Sequence, residues 1–99
     1  MWYAILSEDV EDSAALRAGA RPAHLARLDE LVAQGRVLVA GAHPAIDAVE
    51  PGAAGFSGSL VIAEFPSLQD AEAWAADDPY VAAGVYRTSV VKPFKRALP

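Results

Sequence analysis

The chain has 99 residues, a length typical of one compact domain, and 54% of them are hydrophobic, enough for a core without disulfides. Its 13 acidic and 8 basic residues give a net charge of −5, which makes nucleic acid and anionic membrane surfaces poor partners. Because cysteine is absent, thiol chemistry and cysteine-ligated metal centres are excluded, and the composition fits a reducing cytoplasm.

The amino-terminal segment predicts one short strand. Residues 2–6 (WYAIL) are aromatic, β-branched or apolar, as strands prefer. This run lacks a basic flank and is too short for a signal peptide or a membrane span, so we expect one cytoplasmic domain over residues 1–99. Residues 8–12 are acidic and are interpreted as a connection, after which Asp12 or Ser13 is expected to cap a short helical stretch.

A longer helix and a second strand follow. Pro22 favours the first turn of a helix, because its fixed φ suits that position and an N–H is not needed there. The apolar spacing predicts that this main helix runs through Gln34, and that Gly35 ends it. Residues 37–40 (VLVA) form the second predicted strand, which Gly41 closes.

A long irregular segment separates the second and third predicted strands. Residues 42–57 contain Pro44, Pro51 and several glycines, so they predict a loop. Loops of this length in compact domains are often functional. Residues 59–65 follow as the third predicted strand.

The carboxy-terminal part predicts a helix, a short turn and a last strand. Ser67 begins a capping-box pattern and a helix that runs to about Ala76. A second turn begins at Asp78 and is broken at Gly84, and residues 85–94 form the fourth strand.

The predicted order of elements is β-α-β-β-α-β, which is typical of an α+β, ferredoxin-like sandwich. In this fold both helices cover one face of the sheet and leave the other face open. The predicted strands are nevertheless apolar on both faces, as in residues 2–6 and 60–65. Strands of that kind are usually covered on both sides, so we expect a second copy of the chain to pack against the open face and form a homodimer.

His24 is the residue with the clearest chemical potential. By helical spacing it shares a face of the main helix with Leu28 and Leu31, and an unpaired buried polar group costs about 1–3 kcal/mol. Asp78 is the candidate partner, because this topology places its turn beside the start of the main helix. A carboxylate on one ring nitrogen would fix the tautomer, as in a general base. The alternative is a satisfied core histidine and an aspartate that caps a helix.

Two arginines and a second histidine are weaker candidates. Arg17 and Arg21 lie four residues apart at the start of the main helix and could hold an anionic substrate near His24, although solvated charges are commoner. His43 lies in the predicted loop, where a surface role is the simpler interpretation. The two histidines are far apart in the sequence and lack supporting ligands, so a metal or haem site is the least favoured hypothesis, and no cofactor is expected.

Hydroxyl-bearing residues are candidates for a pocket wall. Residues 55–59 (GFSGS) are rich in glycine, but they lead into a strand instead of a helix, so they lack the context of a phosphate-binding loop. Ser57 and Ser59 in this segment could border a pocket. Tyr80 and Tyr86 are interpreted as packing residues that also give the pocket an aromatic wall.

A series of segments stands out along nearly the whole chain: residues 21–28 (RPAHLARL), 40–41 (AG), 44–47 (PAID), 55–59 (GFSGS), 74–75 (WA), 78–86 (DPYVAAGVY) and 91–95 (VKPFK). In this order they resemble the YCII-like family. One departure lies after the second strand, where the family usually has Gly-Pro and this chain has Gly41 and Ala42.

The resemblance implies a ferredoxin-like fold assembled as a dimeric α+β barrel. It also implies a site centred on a His–Asp pair, which here falls on His24 and Asp78. A relative acts as a dehydrochlorinase on a chlorinated hydroxyhydroquinone, and similar barrels include muconolactone isomerase. The resemblance therefore implies cofactor-free proton abstraction from a small cyclic, oxygenated substrate.

Two hypotheses for function follow. In the first, the protein is a lyase or isomerase in which His24 is the general base and Asp78 orients it, with Arg17, Arg21, Ser57, Ser59 and Tyr80 around the substrate. In the second, the protein is a non-catalytic dimeric module that binds a small ligand or accompanies other enzymes. The His24–Asp78 pair would then be a structural clasp between two elements.

Overall fold

The computed structural model describes residues 1–99 and contains one four-stranded antiparallel sheet. The strand order is β2-β3-β1-β4, the order of a ferredoxin-like fold, which confirms the predicted α+β class. The strands are β1 (Trp2–Asp9), β2 (Val37–Pro44), β3 (Phe56–Glu64) and β4 (Tyr86–Phe94), and the helices are α1 (Ala14–Ala33), α2 (Leu68–Ala76) and α3 (Pro79–Ala82).

The core lies between the helices and one face of the sheet. Alternate residues of β1 point to this side because strand side chains have a period of two, so Tyr3 and Ile5 are buried while Leu6 is not. Each core residue has less than a tenth of its surface exposed, and these residues are Tyr3, Ile5, Leu28, Leu31, Val61, Ala63, Phe65, Ala71 and Ala75. Alanines at the α2 positions let that helix approach the sheet closely.

The main helix begins earlier than its sequence predicts. It is one continuous helix over Ala14–Ala33, with Pro22 inside it instead of at its start, so the predicted break before Pro22 is wrong. An interior proline costs about 3 kcal/mol, which is offset because both halves of α1 bury side chains, Arg17 in the first and Leu28 in the second. Ser13 is the N-cap residue, but its side chain makes no cap hydrogen bond.

The strands β2 and β3 are longer than predicted, and the loop between them shrinks to residues 45–55. The ladder continues through the pairs His43–Gly58 and Pro44–Phe56, beyond the predicted stop at Gly41. Pro44 is tolerated because β2 is an edge strand, where a missing N–H leaves no ladder bond unmade. A short 3-10 helix over Gly52–Ala54 lies inside the remaining loop.

Gly58 allows β3 to lie close against β1. A β-carbon built on this residue would overlap the backbone carbonyl of Ser7, so no larger residue fits without moving one of the two strands. This approach places the beginning of β3 beside the end of β1, where the polar residues described below are gathered.

The sheet face away from the helices carries exposed apolar side chains. Leu6, Val39 and Val90 project from this face, and between 41% and 50% of their surfaces are exposed. The helices leave this face uncovered, as expected for the fold. No helix here is both long enough and apolar enough to cross a lipid bilayer.

Candidate active site

His24 of α1 and Asp78, the residue before α3, are joined directly. The Nδ1 atom of His24 lies 2.8 Å from Oδ1 and 3.0 Å from Oδ2 of Asp78. Both residues are buried, with 8% and 6% of their surfaces exposed. Asp78 is also the N-cap of α3, because its Oδ1 accepts a hydrogen bond from the Tyr80 amide at 2.9 Å. The capping role and the imidazole contact therefore coexist in one carboxylate.

This contact determines which nitrogen of His24 carries the proton. An ionised carboxylate only accepts hydrogen bonds, so Nδ1 of His24 must be the protonated nitrogen. In the neutral ring, Nε2 then carries the lone pair. Nε2 has no hydrogen-bond partner in the chain, and it is not among the side-chain atoms that are sealed from solvent without a partner. The arrangement therefore leaves Nε2 as the ring nitrogen without a partner.

Aromatic rings hold the imidazole in place. The rings of His24 and Tyr80 are stacked, with centroids 3.9 Å apart and planes inclined by 7°. Tyr86 of β4 packs edge-on against Tyr80 at 5.4 Å. Tyr80 is almost fully buried, and burial raises the pKa of its hydroxyl against the opposing charges of Arg17 and Arg21. The two tyrosines thus act as packing residues, and Tyr80 also touches the imidazole.

Arg17 lies next to this pair and is buried in a network of its own. Its Nε and Nη2 atoms bind the two carboxylate oxygens of Asp9 at 2.6 and 3.0 Å, and Nη2 also lies 3.0 Å from the Gly58 carbonyl and from Ser59 Oγ. Burial acts to lower the pKa of Arg17, but the hydrogen bond and charge of Asp9 raise it overall. Most of this guanidinium is therefore committed to Asp9.

Ser59 connects Arg17 with Tyr86. The Tyr86 hydroxyl donates to Ser59 Oγ at 2.8 Å. Burial raises the pKa of Tyr86 to about 12, partly opposed by its hydrogen bond to Ser59, so this phenol remains protonated at neutral pH. Ser59 itself is buried at the strand end that faces α1.

A cavity opens beside the imidazole. It has a volume of about 230 Å³ and lies between α1, α3 and the strands β2 and β3. Its polar wall consists of Arg17, Arg21, His24, Ser59 and Tyr80, and its apolar wall includes Leu25 and Leu28. A second space of about 350 Å³ shares Arg17, Arg21, Ala42 and Tyr80 with the first and extends under the loop to Phe56.

Two of the residues predicted to border the pocket, Ser57 and Tyr86, lie outside this cavity. Ser57 is exposed, and its hydroxyl lies 3.5 Å from the His43 carbonyl instead of facing the site. His43 is exposed as well. No three histidine, aspartate or glutamate side chains lie close enough together to hold a metal ion. Gly41 and Ala42, where the sequence departs from the family pattern, both line the cavity.

Asp9 is a neighbour of the site that is not among the predicted residues. The sequence predicts a connection over residues 8–12, whereas β1 continues through Asp9. Extending the two-residue alternation of Tyr3, Ile5 and Ser7 by one step places Asp9 on the buried face, where a carboxylate requires a cationic partner. That signal was present in the sequence.

The chain is similar to proteins of one known family. A family model described as YCII-related domain matches residues 1–95. The chain is 59% identical over 96 residues to protein YciI of Escherichia coli O6:H1, covering 97% of this chain and 98% of that protein. It is 52% identical, with the same coverage, to an uncharacterized protein of Haemophilus influenzae.

One solved structure is similar over almost the full chain. It is the 5-chloro-2-hydroxyhydroquinone dehydrochlorinase of Burkholderia phenoliruptrix AC1100 in complex with 2,5-dihydroxybenzoquinone. The TM-score is 0.84 at 26% identity, and the match covers 98% of this chain and 96% of the other. The family match, together with 59% identity over nearly the full chain, confirms the resemblance seen in the sequence, and the chain belongs to the YCII family.

Proposed function

We propose that the protein is a cofactor-free lyase or isomerase that removes a proton from a small cyclic, oxygenated substrate. The observation that carries this proposal is the state of His24: Nδ1 donates to Asp78, while Nε2 is unpaired at the edge of a cavity. His24 is then the general base, and Asp78 fixes its tautomer and orientation.

The cavity supports a substrate of about one ring. Its volume of about 230 Å³ is below the roughly 300–1,000 Å³ usual for larger ligands. Arg21 is exposed at the rim and makes no side-chain hydrogen bond, so its charge is available to an anionic group. The similar dehydrochlorinase, whose structure holds 2,5-dihydroxybenzoquinone, supports the same class of substrate.

In the elimination, the keto form of the substrate, in which the adjacent C–H and C–Cl carbons are both saturated, loses a C–H proton to Nε2 of His24. The C–H electron pair forms a carbon–carbon double bond, and chloride leaves with its bonding pair. In an isomerase, the protonated imidazole of His24 would instead return the proton to another carbon of the substrate. Both reactions require only the imidazole and its carboxylate partner from this chain.

Chloride release from 5-chloro-2-hydroxyhydroquinone tests the proposal. We expect the wild-type protein to release chloride, and His24→Gln to lower the rate by about 10²–10⁴, the usual contribution of a general base. His43→Gln is the matched control, because His43 is exposed and outside the cavity. Absence of chloride release by the wild type, or an equal rate in His24→Gln, would refute a base-catalysed dehydrochlorination.

One observation favours the non-catalytic alternative. The pair joins α1 to α3 across 54 positions of sequence, and both partners are buried, as a structural clasp requires. In that case the cavity is a binding site for a small ligand and His24 performs no chemistry. Unchanged ligand binding together with a lower melting temperature in His24→Gln would support this function.

We also propose that the protein is a homodimer joined through the open face of the sheet. This face has an apolar centre that includes Leu6 and Val90, and its rim carries both signs of charge, with Glu64 and Lys92. A second copy related by a two-fold axis presents the same apolar centre and can pair the opposite charges.

Light scattering coupled to size-exclusion chromatography measures this assembly. We expect a dimer for the wild type and a monomer for Leu6→Glu, because the new charge would be buried without a partner. Leu16→Glu is the matched control, since Leu16 on α1 is also 41% exposed but lies away from the sheet face. A monomeric wild type would contradict the proposal.

A further inference from the structure

The hydroxyl of Ser59 has a proton without an acceptor in the chain. Ser59 Oγ accepts one hydrogen bond from the Tyr86 hydroxyl and a second from Nη2 of Arg17. A serine hydroxyl has two acceptor sites and one donor proton, so both acceptor sites are occupied and the proton is unused. The backbone groups and side chains of the chain provide no acceptor for it.

The Ser59 hydroxyl can donate this proton only to an acceptor in the cavity. Ser59 is 5% exposed and lines the cavity that contains His24. Buried hydroxyls nearly always find a partner, because leaving one unpaired is unfavourable. Tyr86, the donor to Ser59, does not line this cavity, so the pair of hydroxyls presents Ser59 to a ligand.

Two further donor side chains, Tyr80 and Arg17, lie in the same wall. The Tyr80 hydroxyl is hydrogen-bonded by Arg17 but donates to no acceptor in the chain, although only 2% of the residue is exposed. This hydroxyl is not sealed from solvent. The Arg17 guanidinium also lies 5.0 Å from the centre of the Tyr80 ring. The polar side chains that line this part of the cavity are therefore donors, and no carboxylate is among them.

We propose that the Ser59 hydroxyl donates a hydrogen bond to a substrate oxygen that becomes negatively charged when His24 takes the proton. The substrate is then a carbonyl compound or a phenol in its keto form, with the oxygen conjugated to the carbon that loses hydrogen. This inference rests on the proposed role of His24 as a base and specifies the substrate class for it.

The electron movement explains why a donor is needed at this place. As the C–H proton moves to Nε2 of His24, the C–H electron pair delocalises onto the conjugated oxygen and gives an enolate. Ser59 is itself polarised by the donors Tyr86 and Arg17, which strengthens its own donation. Preorganised donors of this kind typically contribute about 10²–10³ in rate.

The binding of 2,5-dihydroxybenzoquinone, measured by isothermal titration calorimetry, tests the inference. We expect Ser59→Ala to raise Kd by roughly 10- to 100-fold, as for a lost hydrogen bond to a charged oxygen. Ser57→Ala is the matched control on the same strand, and it should bind like the wild type because Ser57 is outside the cavity. Equal Kd values for Ser59→Ala and Ser57→Ala would overturn the inference.

Tyr86→Phe keeps the test valid if Ser59→Ala does not fold. This variant withdraws one donor to Ser59 but leaves the serine proton free, so Kd should rise by less than roughly 3-fold. A larger loss would show that binding depends on the Tyr86–Ser59 hydrogen bond instead of the free Ser59 proton, and it would refute the role of Ser59. Chloride release separates this result from the proposed function: loss of rate in His24→Gln with unchanged binding in Ser59→Ala refutes only the serine donor.

Discussion

Replacing Asp78 by asparagine would reverse the proton positions on His24 while preserving the shape of the site. The asparagine carbonyl can still accept from the Tyr80 amide, so the cap of α3 remains. The amide nitrogen takes the place of Oδ2, 3.0 Å from Nδ1 of His24, and can only donate. Because the carbonyl Oδ1, 2.8 Å from Nδ1, is already bonded by the Tyr80 amide, we expect Nδ1 to become the acceptor of the new amide N–H and Nε2 to receive the proton. The imidazole of His24 would then carry its lone pair on Nδ1 and not on Nε2, the nitrogen that the proposed reaction uses.

The expected magnitudes follow from what the variant loses. Exchanging a hydrogen bond to a charged group for a neutral one removes about 1 kcal/mol of unfolding free energy. This corresponds to a fall in melting temperature of about 4–8 °C for a domain of this size. The rate of chloride release should fall by about 10²–10⁴, the contribution of the base. Activity is thus affected far more than stability.

Nitrogen NMR of the histidine ring measures the tautomer directly. In the wild type we expect an unprotonated Nε2 on His24, and in Asp78→Asn a protonated one. His43, the other histidine of the chain, is exposed and serves as an internal reference. Asp77→Asn is the matched control, because it removes the same charge from the adjacent, exposed residue. The same tautomer in Asp78→Asn and the wild type would refute the reasoning.

Two further predictions concern the beginning of β3 and its neighbour on β4. Gly58→Ala should lower the unfolding free energy by about 1–3 kcal/mol, because the added methyl group forces β3 away from the Ser7 carbonyl. Urea denaturation measures this loss, and an unchanged midpoint would contradict the predicted overlap. Tyr86, with its pKa raised to about 12, stabilises the fold below the unfolded value of about 10, and this stabilisation is lost as pH rises to about 12. After discounting for partial exposure we expect a loss of about 1–2 kcal/mol over that range, and a smaller one in Tyr86→Phe. Equal pH dependence in both proteins would be inconsistent with burial of this phenol.

Much of the fold is predictable because each element has a local signal. Strand alternation, the glycine after α1 and the Ser67 cap are all present in the structure, with Gly35 in a left-handed conformation and Ser67 accepting from the Asp70 amide. Element boundaries were less accurate. Pro22 favours a helix start locally, but α1 gains more from burying side chains on both sides of it than it loses there.

The sequence predicts the candidate site only where a polar residue stands on an otherwise apolar face. His24 on an apolar helix face requires a polar partner, and the order of elements indicates Asp78. Arg17 shows no such conflict, because the sequence gives no reason to expect an arginine in an alanine-rich turn to be buried. Its partner Asp9 is recognised only once β1 is known to extend through residue 9. Long-range pairing of this kind is a tertiary property.

Asp78 holds the first turn of α3 and the His24 ring with the same oxygen atom. Opening of this four-residue helix frees the oxygen that both partners share and loosens the position of the carboxylate. Under the proposed function, we therefore expect the exchange rate of the Tyr80 amide proton to report how often Asp78 loses the orientation that fixes the His24 ring.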